Sequence, residues 1–203
     1  LYNSIDLEEV QELQKKNTIS YREEYHVPED STVITFTGRL LKEKGLPELL
    51  NVMDKINQKR SDVYLFIAGD GDMEEEINQR KNSHTIPVGR IDFEHIVALL
   101  SESDIFCLPS FSEGFSTSIL EAAACGCYIL TTARGGAREL LINDEYGCVI
   151  PNNNEEILLE ALEHVIGDKA KRERGIELTY NSIKDHFTWG IVANQVEKIC
   201  EEN

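Results

Sequence analysis

Asp104-Ile105-Phe106-Cys107-Leu108-Pro109-Ser110, followed by Glu113-Gly114-Phe115-Ser116-Thr117-Ser118-Ile119-Leu120-Glu121, leads from an apolar strand into a helix and sets two carboxylates at the junction. The first run is short, apolar and stopped by Pro109, as expected of a strand buried on both faces of a parallel sheet. Ile119 to Cys125 is rich in Ala and closed by Gly126, which predicts a helix with a glycine at its C-terminal end. In such sheets ligands bind outside the carboxyl ends of the strands, and a helix starting there points unpaired N–H groups into the crevice. Phosphate is the natural guest.

If the helix starts near Ser116, Glu121 lies about one and a half turns in, and the two carboxylates are at most roughly 12 Å apart along the axis. That separation suits an elongated ligand better than one reacting atom. Each acid would accept hydrogen bonds from hydroxyls at opposite ends of a nucleotide-sugar, with the diphosphate on the helix N-terminus between them. The plainer alternative is a solvated helix acid and an ordinary loop acid.

The same alternation runs through the chain. Strands are predicted at Val33–Thr37, Val63–Ala68, His84–Val88, Asp104–Leu108, Tyr128–Thr132 and Cys148–Ile150. Helices are predicted at Pro47–Arg60, Met73–Lys81, Phe93–Ser101, Ile119–Cys125 and Ala137–Ile142 between them. Beyond Pro151 only helices are read, at Glu155–Ile166, Ala170–Asp185 and Trp189–Glu202. Parallel strands need crossovers, so about six strands with intervening helices mean an α/β, doubly wound parallel sheet with C-terminal helices.

Composition narrows the function classes. The 203 residues can bury a real core, and 41% hydrophobic with 28% charged residues is ordinary for a globular domain. A formal charge of −17 argues against nucleic acid as a partner, because its phosphates would be repelled over most of the surface. Five cysteines without metal-type pairing fit buried thiols in a reducing compartment; Cys125 and Cys127 are one residue apart and are no C-x-x-C pair. No apolar run approaches the ~20 residues of a spanning helix. The five histidines are scattered, with neither metal spacing nor a neighbouring nucleophile, so neither a metal site nor a hydrolase triad is expected.

Against that acidic background, Gly38-Arg39 and Lys44-Gly45 place two cations on the loop after the first strand. A guanidinium fork and a mobile ammonium together can neutralise a diphosphate, although each alone would be an ordinary solvated side chain. Gly69-Asp70-Gly71 is a tight turn allowing close backbone approach, but Glu74 stands where the dinucleotide fingerprint needs its third glycine. Gly135-Gly136-Ala137-Arg138-Glu139 is either another close contact or a turn with a helix-stabilising acid.

In this order, Gly38-Arg39, Lys44-Gly45, Gly69-Asp70-Gly71, Gly89-Arg90, Glu113 to Glu121, Ala124-Cys125-Gly126 and Gly135-Gly136 to Glu139 resemble the C-terminal half of group 1 glycosyltransferases. Tyr2-Asn3-Ser4-Ile5-Asp6 is similar to that family's linker into this domain, and Phe187-Thr188-Trp189 to the start of its final helix. Ser116 and Ser4 stand where the family often has Gly, and Cys127-Tyr128 where a Pro-Val pair is common. The resemblance implies one Rossmann-like half of a GT-B fold and retaining transfer of a sugar from a nucleotide-diphosphate donor to an acceptor hydroxyl, with no metal or other cofactor.

Carried onto this sequence, the resemblance makes Arg39, Lys44 and Glu113 the catalytic set. Arg39 and Lys44 would hold the diphosphate and Glu113 the sugar hydroxyls. Backbone at Gly38, Gly114, Phe115, Ser116 and Thr117 would cradle phosphate or sugar. Glu121 would take the ribose, and Gly71 and Gly89, with Arg90, would flank the base. The expected organisation is a linker and leading helix at 1–18, a nucleotide-sugar-binding domain at 19–186 and a C-terminal helix at 187–203. The 203 residues leave no room for the family's N-terminal acceptor-binding domain, so the chain is expected to be a fragment. The implied setting is cytoplasmic, peripheral to the membrane through that missing domain. Two rivals share the architecture: a nucleotide-sugar epimerase, which the Arg39/Lys44 loop with the acid pair disfavours, and a noncatalytic nucleotide-binding module, which the intact acids and cations disfavour.

Overall fold

The computed structural model describes residues 3–111, 114, 116–191 and 193. A leading helix α1 (Leu7–Lys16) and a one-turn α2 (Tyr21–Glu24) precede strand β1 (Thr32–Thr37). A 3-10 turn (Lys42–Lys44), α3 (Leu46–Asn57), β2 (Val63–Ala68), α4 (Glu74–Gln79), β3 (Thr85–Gly89) and α5 (Phe93–Ser101) follow. The second half runs β4 (Ile105–Leu108), α6 (Thr117–Ala124), β5 (Tyr128–Thr132), α7 (Ala137–Leu140) and β6 (Cys148–Ile150), then α8 (Glu155–Gly167) and α9 (Lys169–His186). The six strands form one parallel sheet in the order β3-β2-β1-β4-β5-β6. All six expected strands are present.

The strands are β-branched and aromatic because both faces of the sheet are covered. Their period of two still shows: Ile34 and Phe36 of β1 pack into the larger cluster with Leu49 and Met53 of α3. Val33 and Phe66 point the other way, to Tyr21, Val27 and Leu99. Burial pushes the Cys107 and Cys127 thiols well above their ordinary range, which makes them packing groups rather than nucleophiles.

Pairing at the centre of the sheet is uneven. β1 pairs β2 along its whole length, Thr32 with Val63 through Thr37 with Ala68, but meets β4 only at Ile34 with Ile105 and Thr35 with Phe106. At the amino ends the two strands are tied together: Asp104 Oδ2 accepts from Val33 N at 2.8 Å and from Arg22 Nη2 at 3.2 Å. The Arg22 guanidinium also donates to the carbonyls of Glu102, Pro28 and Ser31 at 3.1, 3.0 and 3.2 Å. At the carboxyl ends the β1–β4 ladder does not continue among the described residues, and the strands part where the chain reverses its direction of winding.

Three local differences have physical reasons. The expected helix Met73–Lys81 is shortened to Glu74–Gln79, because Met73 N donates back to Leu40 O and Asn82 Oδ1 turns the chain by accepting from His84 N and Thr85 N. The same turn moves β3 one residue on from its expected start. A lone parallel bridge joins Ile5 to Thr188, with Ile5 N donating to Phe187 O at 2.9 Å, a pairing too short for periodicity to reveal. Of the helix expected at Trp189–Glu202, the first three residues are helical and most of the rest lies outside the described residues.

Gly175, in the middle of α9, has no evident local purpose and costs about 1 kcal/mol against Ala in a helix interior. Tertiary packing supplies the reason: a Cβ there would come within 2.5 Å of Cε2 of the fully buried Tyr128 ring. Gly175→Ala is therefore expected to destabilise the protein by about 1–3 kcal/mol despite better helix propensity. The loss should shrink in a Tyr128→Val background, as read by denaturant unfolding of the two single variants and the double variant. Additive effects would show that the ring and the glycine are not coupled.

Candidate functional site

At the parting of β1 and β4 lies a cleft of about 330 Å³, bounded from the sheet by Phe36, Thr37, Ala68 and Leu108. This is the crevice at the carboxyl ends of the strands where the order of winding reverses. The loop after β1 contributes Gly38, Arg39 and Lys44, and the ends of β2 and β3 contribute Asp70 and Arg90. From the far side α6 contributes Ser116, Thr117, Ser118 and Glu121.

The loops are fixed to one another through their backbones. Gly38 N donates to Ala68 O at 3.0 Å, Leu40 N to Asp70 O at 2.7 Å, and Met73 N back to Leu40 O at 2.9 Å. A Cβ at Gly69 would sit 1.8 Å from the Gly38 carbonyl oxygen, and one at Gly71 would sit 2.7 Å from that of Leu40. Both glycines also take positive φ, so the close approach foreseen for this turn is an approach of one loop to its neighbour.

Among the described residues, charge in the cleft departs from that of the whole chain, with Arg39, Lys44 and Arg90 against Asp70 and Glu121. Arg39 is exposed and Lys44 half-buried. Arg90 lies 3.3 Å from Asp70, but its side chain is 81% exposed, so this ion pair holds it weakly. The helix caps follow the same division. Asp6, Asp92, Asn154 and Asp168 each accept a first-turn N–H of α1, α5, α8 and α9. The two helices that start at the cleft lack such a cap, as do the short α4 and α7: α3 begins at Gly45, and Ser116 before α6 turns its Oγ to Ser118 Oγ at 2.8 Å. Among the described residues the first-turn amides of α3 and α6 thus have no side-chain acceptor, which suits an anion.

Glu121 is half-buried, and among the described residues no side chain hydrogen-bonds or ion-pairs with its carboxylate. Burial pushes its carboxyl above the usual carboxylate range. Thr37, only 3% exposed, likewise leaves its hydroxyl without a partner at the cleft. Both groups have acceptor capacity that the described protein leaves unused.

Of the residues singled out from sequence, the structure brings Gly38, Arg39, Lys44, Arg90, Ser116, Thr117 and Glu121 to this one cleft. Gly71, Gly89 and Gly114 are not among its walls, and Glu113 and Phe115 lie outside the described residues. Glu139 is exposed in the first turn of α7, away from the cleft wall, as a helix-stabilising acid would be. Ile91 and Ile96 form an apolar stretch of wall that sequence reasoning missed. The signal available was position: Ile91 lies two residues past β3, at the edge where ligands bind. Among the described residues, no three His, Cys, Asp or Glu side chains group as they would around a metal ion, and no helix is long and apolar enough to cross a membrane.

The model of the family described as "Glycosyl transferases group 1" matches residues 17–182, most of the chain. The chain belongs to the group 1 glycosyltransferases. Among curated relatives of this family member, the phosphatidylinositol N-acetylglucosaminyltransferase gpi3 subunit of Schizosaccharomyces pombe is 28% identical over 183 residues, covering 86% of the chain and 40% of the relative. HepE of Anabaena, solved in complex with UDP, superposes with a TM-score of 0.83 at 19% identity, over the whole of this chain and 57% of that one. The C-terminal domain of a group 1 family protein from Francisella tularensis superposes at 0.70 with 22% identity, covering 93% of this chain and 96% of that domain. The chain thus spans about half the length, or less, of the first curated relatives it matches. Its Rossmann-like sheet is one half of a GT-B fold.

The Glu121 carboxyl carries a pH signature. A folded-state pKa above the unfolded value means that this group's contribution to stability is full at low pH and is lost as pH rises through the folded pKa. Glu121→Gln is therefore expected to raise the melting temperature of the ligand-free protein at pH 7, with the gain shrinking as pH falls toward about 4. A variant that melts lower than the parent at pH 7 would show that the carboxylate is satisfied after all.

Proposed function

We propose that this chain is the donor-binding half of a retaining glycosyltransferase, which holds a nucleotide-diphosphate-sugar while an acceptor hydroxyl attacks the sugar. The observation that carries the reading is the meeting in one cleft of Arg39 and Lys44, the start of α6 without a side-chain cap, and Glu121, whose carboxylate has no side-chain partner among the described residues. HepE, bound to UDP and to UDP-glucose, supports a nucleotide-sugar as the kind of ligand.

In this proposal Arg39, Lys44 and the first-turn N–H groups of α6 hold the diphosphate. Glu121 accepts the ribose hydroxyls at one end, and Glu113 takes hydroxyls of the sugar at the other. Backbone at Gly114, Phe115, Ser116 and Thr117 completes the cradle, and the turns at Gly71 and Gly89, with Arg90, flank the base. Departure of the diphosphate leaves an oxocarbenium-like sugar and builds negative charge on the leaving oxygens. Preorganised cations and amides stabilise that charge without reorganising, which makes bound metal unnecessary. The acceptor is held by an N-terminal domain across the cleft, and the enzyme works in the cytoplasm, reaching membranes only through that partner domain.

Titration calorimetry with UDP, GDP, ADP and dTDP, each with and without chelator, tests the reading. At least one of the four is expected to bind with equal affinity in both conditions, whereas binding that appears only with added magnesium or manganese would overturn the cationic account. Turnover should separate from binding, because near-attack positioning of donor and acceptor needs both walls of the cleft. These 203 residues alone should bind donor yet transfer negligible labelled sugar, and adding an N-terminal half should restore transfer. Robust transfer by the chain alone would remove the need for a partner domain.

A further inference from the structure

Lys44 ends a 3-10 turn, and the direction of its side chain is set by the peptide plane that joins it to Glu43. That plane is held at both ends. Lys44 N donates to Leu41 O at 3.0 Å, while the Glu43 carbonyl accepts from Ser110 Oγ at 2.9 Å and from Phe111 N at 3.1 Å. Both of these donors belong to the loop that leaves β4, on the other side of the switch point. The two loops also touch directly, since a Cβ at Gly45 would fall 2.1 Å from the Pro109 carbonyl oxygen.

The β4 exit is anchored in turn by β5. Thr131 Oγ1 donates to Leu108 O at 2.8 Å, and Thr132 Oγ1 donates to Ser110 O. A continuous path therefore runs from Thr132 through Ser110 to the Glu43–Lys44 peptide, crossing from the β4-β5-β6 half of the sheet to the half that carries the cations. Ser110 is fully buried and is not a wall of the cleft, so it has no direct access to a ligand. Any effect it has on binding must pass through what it holds.

We propose that Ser110 is a positioning residue which sets the Lys44 ammonium against the diphosphate and keeps it in register with the start of α6. The inference rests on the proposed donor site and adds to it a residue that never meets the ligand. The Phe111 amide shares the Glu43 carbonyl, so loss of the serine hydroxyl leaves that oxygen with one donor rather than none. Ser110→Ala should therefore fold while its Glu43–Lys44 peptide is held less firmly.

The test is a double-mutant cycle on this chain, with the tightest-binding nucleoside diphosphate of the four as probe and its parent nucleoside as control. Ser110→Ala is expected to lower diphosphate affinity about fivefold and to leave nucleoside affinity unchanged. In a Lys44→Ala background the same substitution should cost nothing further, because its effect is exerted through that ammonium. An equal fall with Lys44 absent, an equal fall for the nucleoside, or no fall at all would each overturn the assignment. If the parent chain binds none of the four diphosphates, the donor-site reading itself fails, and this outcome is distinct from those three.

Discussion

The pairing of β1 with β4 stops after Thr35 and Phe106, and the rest of the site depends on that interruption. A parallel sheet gains from every further ladder bond, so its centre would be expected to zip to the end. Here the chain winds outward from β1 to β2 and β3, then returns to place β4 on the other side, so the connections on either side of this seam leave in opposite directions. No single loop covers it. Asp104 and Arg22 hold the amino ends shut, and the carboxyl ends spread into a cleft whose walls come from both halves. The open seam thus follows from topology, and it is kept in shape by polar groups at its base.

The cleft keeps polar groups uncommitted, although such groups are costly when buried alone. Among the described residues no side chain pairs with the Glu121 carboxylate, Thr37 leaves a hydroxyl unpaired, and Ser116 forgoes the capping bond that its residue type favours. Elsewhere acids or Asn cap the other long helices, and Arg172 donates to the Val165 and Ile166 carbonyls at the end of α8. The departures at Glu121, Thr37 and Ser116 lie at the cleft, and others lie away from its walls, such as the buried unpaired hydroxyls of Ser4, Tyr128 and Ser182.

Much of this could be read in the residues. Apolar β-branched runs such as Val63–Ala68 mark buried strands because both faces of the sheet are covered, and their alternation with helical periods leaves a doubly wound sheet as the economical arrangement. The cations at Arg39 and Lys44 stood out against the net charge, and Glu121 stood out by its place in α6. What remained hidden was long-range. Gly175 is explained only by the Tyr128 ring, Ser110 only by a carbonyl 67 residues away, and Ile91 only by the neighbours that make it a wall. Gly71 has a reason that only the structure shows: its missing side chain makes room for Leu40 of the neighbouring loop.

The loops around the cleft are joined through Gly38 N, Leu40 N, Met73 N and Phe111 N to carbonyls of their neighbours. Every residue type except proline offers the same main-chain N–H and C=O. Side chains at positions such as 39, 70 and 90 can therefore be exchanged by mutation while the frame that presents them stays in place. A fold built in this way separates the inheritance of shape from the inheritance of chemistry. Lineages can exchange the chemistry of the rim by single substitutions, without passing through an unfolded intermediate sequence.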